Sequence, residues 1–81
     1  MGREEIINNF LNGAMKGKAS SLSIHGNVLY SYSTGIARRE GNDIYINNKK
    51  YSMTTTIQQN SIKRIARANG LNVIEVSPDE I

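Results

Sequence analysis

The chain has 81 residues, 38% of them hydrophobic and 21% charged, with ten Lys and Arg against seven Asp and Glu and a formal net charge of +3. That is one domain with a limited core, which argues against a multidomain architecture or a deep enzyme cleft. There is no cysteine, so a disulfide framework and thiolate metal sites are excluded.

No run approaches the roughly 20 apolar residues of a membrane span. The opening MGREEIINN lacks the basic start and apolar core of a signal peptide. Met1-Gly2 begins like a myristoylation signal, but Ile6 stands where that motif asks for Ser or Thr. The expectation is a soluble protein inside a cell, not at a membrane. Because the core is small and nothing restrains the unfolded chain, self-association or a partner is expected to add stability.

Arg3 to Lys16 reads as an amphipathic helix. Ile6, Phe10 and Ala14 form one row, and Ile7, Leu11 and Met15 form the adjacent one. Glu4 and Glu5 in the first turn and Lys16 in the last follow the order the helix dipole favours, with Gly17 as the stop. Packing inside the domain is the plain reading of this stripe, and a partner surface is the other.

Ser21 to Tyr32 reads as a hairpin. Leu22 and Ile24 alternate with serines, Gly26-Asn27 makes a two-residue turn, and Val28, Tyr30 and Tyr32 alternate on the return. A turn at Ser33-Thr34-Gly35 leads to a short strand, Ile36 to Arg39. After Glu40-Gly41-Asn42-Asp43, the strand Asp43 to Asn47 places Ile44 and Ile46 on one face and Tyr45 on the other. The polar turn Asn47-Asn48-Lys49-Lys50 enters Lys50 to Met53, where Tyr51 and Met53 share a face. Five short runs separated by four turns predict an antiparallel meander.

A second helix is predicted to open in the threonine run Thr54-Thr55-Thr56. Thr55 with Gln58 makes a capping box, and Thr56 with Gln59 is the alternative register. The helix runs to about Asn69, with Gly70 as its left-handed end. Ile62, Ile65, Ala66 and Asn69 lie on one side, and Lys63, Arg64 and Arg67 on the other. Leu71 to Val76 favours a strand that Pro78 ends. A strand–helix–strand step predicts that this strand returns parallel, beside a central strand of the sheet. The end, Asp79-Glu80-Ile81, is expected to fray. The fold class is therefore α+β: an N-terminal helix, an antiparallel meander of about five short strands, a second helix and a C-terminal strand, in a single domain over residues 1–81.

The run Leu29-Tyr30-Ser31-Tyr32, then Thr34, Ile36-Ala37, Gly41, Ile44, Ile46-Asn47, Lys50-Tyr51-Ser52 and Thr54-Thr55 resembles a family of small phage-encoded proteins of unknown function. In that family an S-D-G turn precedes L-Y-S-Y, I-A follows, and V-N-x-x-K-Y-S-x-T-T-S-K-H-Q leads into a helix. The resemblance covers about residues 20 to 67. It implies a virus or mobile element and a place in the host cytoplasm, and it implies no reaction. Two departures stand out: His25-Gly26-Asn27 replaces an Asp-Gly turn, and Thr56-Ile57-Gln58-Gln59 replaces S-K-H-Q, so a Lys and a His of that stretch are missing.

The chemistry-bearing residues are few. His25 is the single histidine. It lies in a turn with no carboxylate near it in sequence, so it reads as a solvent-exposed turn residue and not as a catalytic base. Glu40, Asp43, Glu75 and Asp79 are too scattered for a metal site. No G-x-S-x-G elbow or phosphate loop occurs. The expectation is a protein without catalytic residues, metal or cofactor.

Three features remain as candidates. A helix start at Thr54, Thr55 and Thr56 could hold an anion, though a simple cap explains it as well. Tyr30, Tyr32, Tyr45 and Tyr51 suit strands by packing alone, but two of them on one exposed face could stack bases. Lys63, Arg64 and Arg67, joined by Arg38-Arg39 and Lys49-Lys50, would form a continuous positive patch if the turns approach the helix. Such a patch would contact phosphates in a salt-dependent way, where the bland reading is a solvated face.

The expected function is a non-enzymatic viral accessory protein contacting nucleic acid or a nucleoprotein through that helix face. An inhibitor of host defence is the alternative, either blocking a host protein complex in the manner of an anti-CRISPR protein or sequestering a nucleotide signal. A minor virion or scaffold protein is a further one.

Overall fold

The computed structural model describes residues 2–81, and the Met1 side of the Met1-Gly2 start lies outside the described residues. The chain runs through α1 (Arg3–Leu11), β1 (Lys16–Ala19), β2 (Leu22–His25), β3 (Val28–Ser31), β4 (Thr34–Glu40), β5 (Asp43–Asn47), α2 (Met53–Ala68) and β6 (Asn72–Val76), and ends in a 3-10 turn, Pro78–Glu80. The six strands form one sheet in chain order. Every step from β1 to β5 is antiparallel, and β6 runs parallel to β5. This is an α+β fold; the meander has the expected five strands in number, but Lys16–Ala19 takes the place of the expected Lys50–Met53.

Both helices pack on the same face of the sheet, around a single core. Ile6, Ile7 and Phe10 of α1 and Ile62 of α2 are fully buried against Ile24, Leu29, Ile44 and Ile46. Each such side chain contributes about 1.5–3 kcal/mol on burial, and that packing, not helix propensity, holds α1 in place. A bulge between Leu29 and Tyr30 lets Leu29 face Ala37 and Tyr30 face Gly35, so that Ile36 and Ala37 are both buried.

Several boundaries differ from expectation. The first helix ends at Leu11, not Lys16, because Gly13 at φ +103° turns the backbone out of the helix. Met15 is consequently exposed, and Lys16–Ala19 pairs with β2 as an additional strand. Gly17 does not stop a helix. It sits on the inner face, where an added Cβ would lie 3.4 Å from Ile24 Cδ1 and 3.9 Å from Ile6 Cδ1, so its small size lets α1 approach β1 closely.

Lys50 to Met53 is not a strand. Ser52 caps α2 instead, its Oγ accepting from the Thr55 N–H at 3.2 Å while its carbonyl accepts from the Thr56 N–H at 3.0 Å. Neither predicted capping box forms, because Ser52 is already the N-cap and the side chains of Gln58 and Gln59 bond to Ser31 and Ser21 and to the carbonyls of Asn47 and Lys49.

In β3 the inward residues are Leu29 and Ser31, not Val28 and Tyr30, because the register sets Leu29 opposite Ile24. The last strand lies at the sheet edge beside β5 and not beside a central strand. The C-terminal residues are not frayed. Arg38 donates to the Glu80 carbonyl from Nε (3.3 Å) and Nη2 (3.2 Å), and an added Cβ on Gly35 would stand 3.0 Å from Ile81 Cγ2.

Candidate functional site

The cations singled out in the sequence do not converge on one surface. On α2, Lys63 Nζ pairs with Glu75 of β6 at 3.5 Å and Arg64 Nη2 with Glu4 of α1 at 2.9 Å. Arg67 is exposed and makes no ion pair among the described residues. Lys49 and Lys50 precede α2, whereas Lys63 lies about 15 Å further along its axis at ~1.5 Å per residue. Lys49 Nζ stands 5.4 Å over the Tyr51 ring. Arg38 is on the opposite face of the sheet from α2. It pairs with Glu40 and lies 4.4 Å over the Tyr45 ring. Arg39 points to the helix side, half-buried, with a buried Nε that has no hydrogen-bond partner.

The threonine run is largely committed to the fold. Thr55 Oγ1 lies 3.2 Å from Ser52 Oγ and 3.4 Å from Ser31 Oγ, inside the protein. The N–H groups of Thr55 and Thr56 are both taken by Ser52. Thr54 is exposed and Thr56 half-buried.

A different constellation forms on the face of the sheet away from the helices. Residues paired across antiparallel strands share a face, and the register writes two rows across it. Lys16, His25, Val28, Arg38, Tyr45 and Ile74 form one; Lys18, Ser23, Tyr30 and Gly35 form the other. The β4–β6 half of this face is occupied by the C-terminal turn and by Arg38 lying over Tyr45. The β1–β3 half is open except along β3, where Val28 and Tyr30 border Pro78 and Ile81 of that turn. There Lys16, Lys18 and His25 are exposed, and the His25 and Tyr30 rings meet edge to face with centroids 5.4 Å apart.

Tyr32 completes the open half. It leaves β3 at φ +57°, the residue is 69% exposed, and its N–H donates to the Ser21 carbonyl at 2.7 Å, tying the β3–β4 turn to the β1–β2 turn. Between these turns lies a groove of about 670 Å³ walled by Lys18, Ser20, Ser21, Ser23, His25 and Tyr32. A second hollow of about 410 Å³ shares Ser23, His25 and Tyr32 with it and adds Tyr30 and Ser33.

The electrostatics of this half are one-sided. From Ile6 to Arg39 the chain contains Lys16, Lys18, Arg38, Arg39 and His25 but no Asp or Glu. Lys16 and Lys18 form no ion pair among the described residues. Neither lysine stands out in the sequence as part of a surface, because the helical pattern extends through Lys16 and hides β1. The acid-free run was the signal that could have found them. Of the tyrosines, Tyr30 and Tyr45 share this face, but Tyr45 is shielded by Arg38, and Tyr51 accepts from Asn47 Nδ2 at 2.9 Å in the connection before α2. Chemically the open half offers two unpaired ammonium groups, accessible rings and serine hydroxyls. No cluster of three or more potential metal-binding side chains occurs among the described residues, and none of their helices is long and apolar enough to cross a membrane.

Fold and surface together define a small α+β domain with one helix-covered and one partly open sheet face. Residues 3–75 match the model of the family of unknown function DUF8033, and the chain belongs to that family. Comparison with curated proteins and with solved structures gives no match.

Proposed function

We propose that this is a non-enzymatic accessory protein of a virus or phage that contacts nucleic acid through the open β1–β3 half of its sheet. The viral origin rests on the resemblance of the Leu29–Thr55 motifs to small phage-encoded proteins. The observation that carries the contact is the pairing of Lys16 and Lys18, which form no ion pair among the described residues, with the exposed rings of His25 and Tyr32 and the half-buried ring of Tyr30, on strands and turns that carry no Asp or Glu. The basic side of α2 supports it less, since Glu75 and Glu4 offset Lys63 and Arg64.

The test is a titration of fluorescently labelled DNA and RNA at low salt. Binding should weaken steeply as salt rises. Lys16→Ala with Lys18→Ala should lower the slope of log K against log salt by about 2, one for each phosphate contact removed. Charge reversal at Arg64 and Arg67 should change it less. Absence of binding at low salt, or binding indifferent to Lys16 and Lys18, overturns the proposal.

A second reading, an inhibitor that blocks a host protein, draws on Met53 and Ile57. They lie one helical turn apart on α2 and are 81% and 44% exposed. Capture of a defined host protein, lost on Met53→Ser with Ile57→Ser, would favour it over nucleic acid.

A further inference from the structure

We infer that the nucleic acid taken by this surface is single-stranded, with an unpaired base stacked on the Tyr32 ring over the groove and the strand's phosphates on Lys16 and Lys18. This rests on the nucleic-acid reading above and adds which form is bound and which ring holds it.

Tyr32 is poorly explained by folding. The hairpin turns at Gly26 and Gly41 enter the left-handed region with glycine, at φ +65° and +61°, and the β1–β2 turn does so with the small Ser20, at φ +56°. At the β3–β4 turn the same region is occupied by a tyrosine whose ring is mostly in water. An L residue with a large side chain is disfavoured there, and this ring recovers little by packing. Its position at the wall of the groove, beside Lys18 and His25, gives it a use that packing does not.

The shape of the surface separates single strands from duplex. A duplex buries its base faces in stacking and is read from its grooves by a helix or ribbon that projects into them. Here the surface is concave, and the short side chains Ser20 and Ser23 line it between two turns, while the Ser21 hydroxyl accepts from Gln58 on the helix side. A cavity of this kind admits a base that has left its stack, with π-faces at Tyr32 and at the His25–Tyr30 pair. The Ser20 and Ser23 hydroxyls donate or accept equally well, so they bond base edges without strong preference, and tolerance of sequence follows. Lys18 borders the same groove and Lys16 follows it along β1, so the backbone of such a strand meets positive charge on one side only. β1, β2, β3 and their turns contain no Asp or Glu to oppose it.

The experiment uses the full chain with short labelled homopolymeric single strands and a matched duplex. It is read by anisotropy and by intrinsic tyrosine emission, which is not masked because the chain has four Tyr and no Trp. Single strands should bind more tightly than duplex and quench the tyrosine signal. Tyr32→Phe should keep single-strand affinity, since stacking needs the ring and not the hydroxyl. Tyr32→Asn, chosen because Asn tolerates the left-handed backbone and so keeps the turn, should weaken it by about tenfold or more. Equal binding of duplex and single strands, with Tyr32→Asn unchanged but the Lys16 and Lys18 variants impaired, overturns the inference and leaves the nucleic-acid reading standing. Binding of neither form overturns both.

Discussion

Ser31 of β3 and Gln58 of α2 meet inside the protein, the serine Oγ donating to the glutamine Oε1 at 2.5 Å. Gln58 Nε2 in turn donates to Ser21 Oγ at 2.7 Å, so one buried side chain joins the helix to the third strand and to the β1–β2 turn. A second glutamine does the same at the other side, Gln59 Nε2 donating to the carbonyls of Asn47 (2.9 Å) and Lys49 (3.2 Å). The helix is thus seated on the sheet by apolar packing near Ile62 and by satisfied polar contacts in its first turns. Those contacts fix its axial position, because a slip of one residue would bury unpaired amides.

Gln58→Leu is therefore expected to destabilise the protein despite being more hydrophobic. Two hydrogen bonds are lost, and the buried Ser31 hydroxyl keeps only its longer contact to Thr55. The expected loss is about 1–3 kcal/mol. For a domain of this size, at about 4–8 °C per kcal/mol, the midpoint should fall by several degrees or more. Thermal unfolding followed by circular dichroism measures it, and an unchanged midpoint would show that the contact adds nothing to stability.

The cap offers a sharper discrimination between registers. With Ser52 as the N-cap, Ser52→Ala should cost about 0.5–2 kcal/mol. If Thr56 with Gln59 capped the helix, Thr56→Ala would be the damaging change instead. Urea denaturation of the two variants ranks them, and a larger loss at Thr56 contradicts the observed start.

What the residues announce by themselves is the part governed by local rules. Ile44 and Ile46 alternate with Tyr45, Gly26 and Gly41 mark turns, and Ile62, Ile65 and Ala66 mark the buried side of α2, all as found. What they conceal depends on partners distant in sequence. Strand β1, Lys-Gly-Lys-Ala, has almost no β signal and only Ala19 buried; it is a strand because β2 pairs with it. Ser31, Asn47, Thr55, Gln58 and Gln59 look like surface residues to any hydropathy pattern and are buried because each finds a partner. The Tyr51/Met53 alternation resembles a strand, yet Ser52 between them is a cap. The candidate surface follows the same logic: without β1 there is no row containing Lys16 and Lys18, and the most visible cations are those of a helix face whose charges are partly paired.

Arg38 should hold the C-terminal turn to the sheet. Its guanidinium bridges the Glu80 carbonyl and stacks on Tyr45, and Glu80 and Ile81 donate backbone hydrogen bonds to Ser77 and Pro78 within the turn. Arg38→Ala is expected to unlatch this segment locally. The Glu80 and Ile81 amides should exchange at least tenfold faster with solvent, while global stability drops by no more than about 1–2 kcal/mol. Hydrogen exchange resolved by residue is the measurement. Unchanged protection at both amides would mean that Ile81 packing alone secures the turn.

Stability and binding should part company at Tyr32. A left-handed backbone costs an L residue with a Cβ roughly 1–2 kcal/mol, and asparagine largely escapes that penalty. The Tyr32 N–H keeps its bond to the Ser21 carbonyl whatever the side chain, and a residue 69% exposed has little packing to lose. Tyr32→Asn should therefore raise the unfolding midpoint by a few degrees, at about 4–8 °C per kcal/mol. Tyr32→Phe should leave it unchanged. A tyrosine kept at a position where it weakens the fold is the pattern of a residue retained for contact with something outside the chain. If Tyr32→Asn instead lowers the midpoint, the ring supports the β3–β4 turn by packing, and its exposed position no longer argues for a ligand.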